Sequence, residues 1–281
     1  MKAESPLPRV VVASGKGGTG KTLVATNLAW VAEAQIVDCD VEEPNVHLFF
    51  QVRREKRLPV KVWLPEINEE KCDYCGRCAE VCRFHALLIF PRQVFLFEEF
   101  CHSCGVCEYV CPVKAIGRRL KEIGEVRKGR AGKVTYIGGV LQVGEPRGTP
   151  VIKALKQEID PSVPSILDAP PGTSCLAMEA VKGADLCLLV VEPTPFGLAD
   201  AALAVEAFKK LGVKMAALIN RSDLGEGAEE FCRHHGLEIL GRIPLDRKIA
   251  EVYTEGLLVA EELPRYQELF SQVWEGIRGS L

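Results

Sequence analysis

Residues 9–33 carry three patterns in an order that leaves few folds open. Arg9-Val-Val-Val-Ala-Ser14 is a short β-branched run, Gly15-Lys-Gly-Gly-Thr-Gly-Lys-Thr22 is a glycine-rich loop, and Leu23 to Glu33 places apolar residues at helical spacing. A strand that turns through such a loop straight into a helix lets backbone N–H groups close around phosphate oxygens, with the helix dipole adding positive potential. Gly15, Lys16, Gly17, Gly18, Thr19 and Gly20 supply that cradle; Lys21 is placed to reach β- and γ-phosphates, and the Thr22 hydroxyl to ligate Mg2+. The bland alternative is a glycine-rich turn with no ligand, and the strand and helix that bracket the loop weigh against it.

The second constraint is cysteine. The chain has 12 Cys in 281 residues, and eight of them fall between positions 72 and 111. Cys72, Cys75, Cys78 and Cys82 spell C-x2-C-x2-C-x3-C; Cys101, Cys104, Cys107 and Cys111 spell it again 29 residues later, followed by Pro112. Gly76/Gly105, Val81/Val110 and Ala86/Ala115 repeat at the same offset, so a duplicated unit with pseudo-twofold symmetry is expected. The opening segment contains no apolar run long enough for a signal-peptide core, so a disulfide scaffold is not expected, and the cysteines are read as metal-binding or reduced. Three thiolates two residues apart wrap three corners of a cubane, which is the bacterial ferredoxin spacing. The alternative is a pair of structural zinc sites, which ordinarily use separated C-x2-C knuckles. The resemblance to two-cluster ferredoxins implies that the fourth Cys of each run ligates the other cluster. That assigns Cys72, Cys75, Cys78 and Cys111 to one [4Fe–4S] and Cys101, Cys104, Cys107 and Cys82 to the second. Arg83 stands where Pro often follows the fourth Cys.

Lys16 sharpens the first motif. Lys16-Gly-Gly-Thr-Gly-Lys-Thr22 resembles the deviant Walker A motif of the MinD/ParA/Mrp branch of P-loop ATPases, a group that includes the nitrogenase iron protein. The resemblance implies ATP and Mg2+ as ligands and a nucleotide-sandwich homodimer in which Lys16 crosses to the other subunit's ATP. Gln35-Ile-Val-Asp38-Cys-Asp40, continued by Glu42, Glu43, Pro44 and Asn45, resembles the family's switch I. By that likeness Asp40 orients or activates the attacking water and Asp38 lies near the Mg2+ shell. Ser165-Ile-Leu-Asp168-Ala-Pro-Pro-Gly172 looks like Walker B and switch II, with Asp168 delivered to the metal. The segments ending in Asn220 and Arg221, and in Pro244 and Asp246, resemble those that hold adenine, Asn220 reading the purine edge. The candidate catalytic set is therefore Lys16, Lys21, Asp40 and Asp168. Cys175, seven residues beyond Asp168, resembles one of two cysteines with which the nitrogenase iron protein bridges a cluster across its dimer. The second has no counterpart near Gly144 to Thr149, so a transient bridge and a structural thiol both stay open. Cys39, Cys187 and Cys232 are expected to be buried and inert.

Strand, loop, helix and strand occupy residues 1–66, the cysteine repeat 67–117, and strand–helix alternation resumes at Val134. The expectation is a discontinuous ATPase domain, 1–66 and 118–281, with a doubly wound, mostly parallel α/β sheet of the P-loop NTPase type. A small α+β bacterial ferredoxin-like domain, 67–117, interrupts it just after switch I. From Lys114 to Lys133 eight basic residues face only Glu122 and Glu125, read as a solvated linker face or a site for an acidic partner. Apolar residues at 266, 269, 270, 273, 274 and 277 form an amphipathic helix that lacks a basic polar face, so docking on the ATPase core is expected rather than stable membrane association.

The formal net charge of −3 gives no field that implies nucleic acid, and no apolar run reaches the ~20 residues of a membrane span, so a cytoplasmic location is expected. Three functions fit. The first is an ATP-gated redox protein in which dimer closure is coupled to electron transfer to a partner. The second is a maturation factor of the Mrp type that assembles or delivers clusters to apo-metalloprotein clients. The third is a positioning ATPase in the MinD manner, for which clusters have no clear purpose. Complete thiolate ligation favours the first, because a carrier normally leaves ligation incomplete.

Overall fold

The computed structural model describes residues 7–281; residues 1–6, which the sequence reading counts with the ATPase domain, lie outside the described residues. Strand β1 (Arg9–Ala13) leads through the glycine loop to α1 (Lys21–Val31), then β2 (Gln35–Asp38) and a long β3 (Arg53–Ile67). The cysteine region holds α2 (Arg77–Glu80), β4 (Leu87–Phe90), β5 (Gln93–Leu96) and α3 (Val106–Val110). Strands β6 (Ile116–Ala131) and β7 (Val134–Leu141) return to the body, followed by α4 (Thr149–Gln157), β8 (Ser165–Asp168), α5 (Cys175–Val181) and β9 (Leu186–Val191). The chain closes with α6 (Pro195–Lys209), β10 (Lys214–Asn220), α7 (Gly227–His235), β11 (Glu238–Ile243), α8 (Arg247–Thr254), α9 (Val259–Glu262) and α10 (Pro264–Ser280).

One nine-stranded sheet, in the order β11-β10-β9-β1-β8-β2-β7-β6-β3, forms the body. From β11 to β7 all neighbours are parallel; β6 pairs antiparallel with both β7 and β3. The β-branched and leucine-rich runs of the central strands are buried on both faces, as a parallel sheet covered by helices requires. Residue parity assigns the faces. Val10, Val12, Ile36 and Ile166 pack with Leu28, Tyr266, Phe270 and Val273, whereas Val11, Val37 and Leu167 pack with Val151, Leu155 and Phe208. Helix α10 thus docks through Tyr266, Phe270, Val273 and Ile277, all essentially buried, with Leu269 and Trp274 partly so.

The basic stretch corrects the sequence reading: residues 118–131, expected as a linker face, are most of β6. Its charges are largely answered within the chain. Arg118 pairs with Glu108, Arg119 and Lys121 with Glu98, Arg127 with Glu125, and Lys128 with Glu158. Interspersed Ile123 and Val126, with Val60, Val62 and Leu64 across the ladder, supply the buried side. Charge density masked that alternation in sequence. Pro59 and Pro65 are tolerated because β3 is the sheet's edge.

The ribbon of β3 and β6 runs out of the body and becomes part of the duplicated unit. Ile67 pairs with Ile116 and Leu64 with Arg119; adding 29 to 67 and 64, and subtracting it from 116 and 119, gives the β4–β5 pairs Leu96 with Leu87 and Gln93 with Phe90. The backbone repeats too. Left-handed residues fall at Tyr74 and Ser103, Gly76 and Gly105, and His85 and Lys114, each pair at the same offset.

Candidate functional site

The nucleotide-type site lies at the carboxyl ends of the parallel strands, where open α/β sheets place their ligand crevice. Gly15 follows β1 where a Cβ would stand 2.2 Å from the backbone of Asp200 in α6, so only glycine fits. Gly18 and Gly20 take φ of +76° and +91°. Helix α1 has no side-chain cap on its N-terminus and no acidic residue in its first turn, leaving its first N–H groups to a ligand. Lys21 and Thr22 are buried at that end. The Thr22 hydroxyl donates to Asp168 Oδ2 at 2.6 Å, while Asp168 Oδ1 is buried with no partner. Thr19 Oγ1 is likewise buried and unpartnered. An orphaned carboxylate oxygen beside a loop hydroxyl is the donor set a divalent cation takes, so the residues present fit Mg2+.

Asp38 and Asp168 sit opposite one another in the β2–β8 register. Burial, then the charge of Asp168, pushes the Asp38 carboxyl well above its ordinary range. Asp168 rises to about 6 through burial, opposed by Lys21 and by the Thr22 hydroxyl. Asp38 accepts N–H bonds from Asp40, Asn45 and Val46, so it organises the switch I turn. Asp40 is raised by burial and drawn back by the Glu43 backbone and Lys21. Lys16 Nζ stands 3.7 Å from Glu192 Oε2, which also accepts from Arg221 Nη1 at 3.2 Å. Sequence reasoning passed over Glu192; its signal was a carboxylate ending a fully apolar strand, β9, at the ligand end of the sheet.

Asn220, Arg221, Pro244 and Asp246 line one cleft with Gly18, Gly20, Leu23 and Tyr253, a space of about 290 Å³. The Asn220 amide is engaged within the chain: Nδ2 donates to Thr19 O at 2.7 Å and Oδ1 accepts from Arg221 N. Asp246 caps α8 through Lys248 N and accepts from the Tyr266 hydroxyl.

The eight cysteines gather into two cavities at the ribbon's end. Cys72, Cys75, Cys78 and Cys111 line one with Ile67, Pro112 and Ile116; Cys82, Cys101, Cys104 and Cys107 line the other with Trp63, Phe84 and His102. Both are tight: each encloses about 20 Å³, against about 290 Å³ for the cleft beside the glycine loop. Each cavity draws three thiols from one run and the fourth from the other. Among the described residues no three His, Cys, Asp or Glu side chains are set to hold a single metal ion. Burial pushes the Cys78, Cys101 and Cys107 thiols up, Cys107 to about 11, against backbone N–H bonds from Ala79, Ser103 and Glu108. Such thiols ionise readily only when a cation replaces their protons.

Cys39, Cys187 and Cys232 are buried in the body. Cys175 is exposed in the first turn of α5, behind the capping Ser174. No helix of the described residues is long and apolar enough to cross a membrane.

Comparison with known proteins gives a match over residues 10–259 to the CbiA family, described as the CobQ/CobB/MinD/ParA nucleotide binding domain. An uncharacterized protein of Methanocaldococcus jannaschii is 32% identical over 279 residues, spanning 96% of both chains. The iron-sulfur cluster carrier protein of Pyrococcus abyssi is 28% identical over 278 residues, 89% of this chain and 78% of that one. Among solved structures, the cell division ATPase MinD of Pyrococcus furiosus matches with a TM-score of 0.60 at 22% identity, covering 98% of this chain and 99% of that one. That match shows the fold.

Proposed function

Because the chain belongs to the CobQ/CobB/MinD/ParA nucleotide-binding family, we propose that it is an ATP-dependent iron–sulfur protein that carries or assembles clusters for client metalloproteins. The observation that carries the proposal is the joining of two kinds of site in one chain. A phosphate loop with an uncapped helix and an orphaned carboxylate sits in the body, and two four-thiol cavities sit on a ribbon of the same sheet. Relatives named as cluster carriers support delivery over the redox role that full thiolate ligation suggests.

Each four-thiol set would hold one [4Fe–4S], Cys72, Cys75, Cys78 and Cys111 the first and Cys82, Cys101, Cys104 and Cys107 the second, a reading supported by the thiols that line each cavity together. In the ATP site Thr22 and Asp168 would hold Mg2+, which when bound neutralises phosphate charge. Lys21 and the loop N–H groups bind and orient the phosphates, and Asp40 positions the attacking water. Lys16 leaves Glu192 to reach the nucleotide of a second copy in a sandwich homodimer. Positioning and charge neutralisation supply most of such catalysis, and because the second copy and a partner complete the site, hydrolysis by the isolated protein is slow.

The test is anaerobic. The purified protein is expected to hold about eight iron atoms, and to load an apo-ferredoxin client in a manner stimulated by Mg-ATP, an effect lost in Lys21→Ala. The electron-transfer reading rests on the complete four-thiol ligation. Clusters that stay bound through reduction and reoxidation while the client remains apo would establish it over delivery.

A further inference from the structure

Outside the β3–β6 ribbon, one hydrogen bond joins the cysteine region to the body among the described residues. Arg147, in the turn between β7 and α4, donates from Nη1 to the carbonyl oxygen of Cys101 at 3.2 Å. Its guanidinium is almost fully buried, with 8% of the side chain exposed. The other two nitrogens, Nε and Nη2, form a fork on the Glu145 carboxylate. Glu145 also faces Lys121 on β6 at 3.3 Å, and Lys121 faces Glu98, just before Cys101, at 3.2 Å. A bidentate pair closed on this scale holds the guanidinium in one place.

The next residue faces the other way. A Cβ on Gly148 would lie 2.8 Å from Leu176 Cδ2 and 3.0 Å from Val41 Cγ2. Val41 follows Asp40 in switch I, and its carbonyl accepts from Leu141 N at 2.8 Å; Leu176 lies in α5, the helix that follows switch II. Packing with no spare room transmits displacement rather than absorbing it. Adjacent residues thus touch both nucleotide switches on one side and one cysteine cavity on the other. The Cys72, Cys75, Cys78 and Cys111 cavity has no equivalent tether: among the described residues no body side chain hydrogen-bonds to a residue that lines it, although both cavities are lined only by the ribbon and the cysteine region.

We propose that Arg147 couples the nucleotide state of the body to one cysteine site alone, that of Cys82, Cys101, Cys104 and Cys107. The two repeated sites are alike in ligands and differ in this tether. Movement of Val41 or Leu176 at the nucleotide shifts Gly148, and with it the guanidinium on the Cys101 carbonyl. That alters the hold on the Cys101 loop and the positive charge beside its cluster. Arg147 is a positioning residue here. The inference rests on the cluster reading for its redox arm only.

Hydrogen exchange tests it on the full chain, with and without a non-hydrolysable Mg-ATP analogue. Protection of amides 101–107 is expected to change with the analogue while that of 72–78 does not. The change is expected to be lost in Arg147→Gln and partly retained in Arg147→Lys, which keeps the charge without the fork. An equal response of both segments in the wild type, or an unaltered response in Arg147→Gln, would overturn the proposal. Redox titration followed by EPR supplies the second arm. One of two cluster potentials is expected to respond to the analogue, and in Arg147→Gln that potential shifts lower, since removing a cation disfavours the added electron; two potentials equally sensitive to nucleotide overturn the coupling. Fewer than about eight iron atoms per chain would refute the two-cluster reading; an exchange response confined to 101–107 and lost in Arg147→Gln would still establish the coupling.

Discussion

The ATPase body and the cysteine region solve the problem of stability in opposite ways. In the body, strands β1, β8 and β9 are buried on both faces, and two continuous apolar clusters lie either side of the sheet. The cysteine region and its end of the ribbon bury only Leu64, Pro65, Ala86, Leu87, Cys101, Ala115 and Ile116 among the described residues, and leave Phe84, Leu88, Phe90, Phe95, Phe97, Phe100 and Tyr109 exposed. A core that size cannot offset the conformational entropy of some fifty residues, a range in which metals or other cross-links are usually needed. Polar atoms show the same contrast. The body holds unpartnered buried oxygens at Thr19, Asn45 and Asp168 on a scaffold stable enough to bear them, whereas the groups the cysteine region leaves free are its thiols.

The largest effect expected from this contrast follows loss of iron. Anaerobic chelation, or Cys78→Ser with Cys107→Ser, should release the amides of residues 70–112 to the exchange rates of an open chain. Protection in β1, β8 and β9 should be unchanged. Persistent protection of the cysteine region in iron-free protein would break the comparison. Next in size, Lys21→Ala should weaken ATP binding by roughly 10- to 150-fold, the equivalent of one charge-assisted phosphate contact, with iron content unaltered. Calorimetry and iron assay on the same sample check both halves. A variant that lost its iron as well would show the two regions to be one cooperative unit.

The smallest effect concerns pH. Asp168 is raised to about 6 in the folded, ligand-free protein, against about 3.9 in an open chain. The folded state therefore binds more protons between those values, and stability should fall as pH rises from about 4 to about 6. The loss is on the order of 2 kcal/mol. Asp38, raised by burial and by Asp168, carries the decline to higher pH. Urea denaturation of nucleotide-free, metal-free protein should show this slope, flattened in Asp168→Asn. A body whose stability rises through that window would contradict the burial argument.

Sequence alone made much of this legible where the determinants are local. The phosphate loop reads from eight residues because glycine conformation, helix start and lysine must be contiguous. The duplication reads from cysteine spacing, and the structure extends it to backbone handedness at Tyr74 and Ser103 and to strand register. The β3–β6 ribbon did not read, because Lys and Arg at solvent-facing positions hide the alternation around Ile123 and Val126 until the partner strand is known. Glu192 and Arg147 were missed for a similar reason. Each is an ordinary charged residue until folding brings Lys16 and Arg221 to the first, or the Cys101 carbonyl to the second.

By itself the sequence determined a strand–glycine loop–helix of the P-loop type, a twice-written cysteine spacing and an α/β body around them, because each is set by neighbours within a few turns of chain. Only the tertiary structure decided that one thiol site is hydrogen-bonded to the body through Arg147 and its twin is not. That asymmetry depends on Arg147 and Gly148 meeting Cys101, Val41 and Leu176, residues far apart in the chain, and a contact between distant residues leaves no spacing to read.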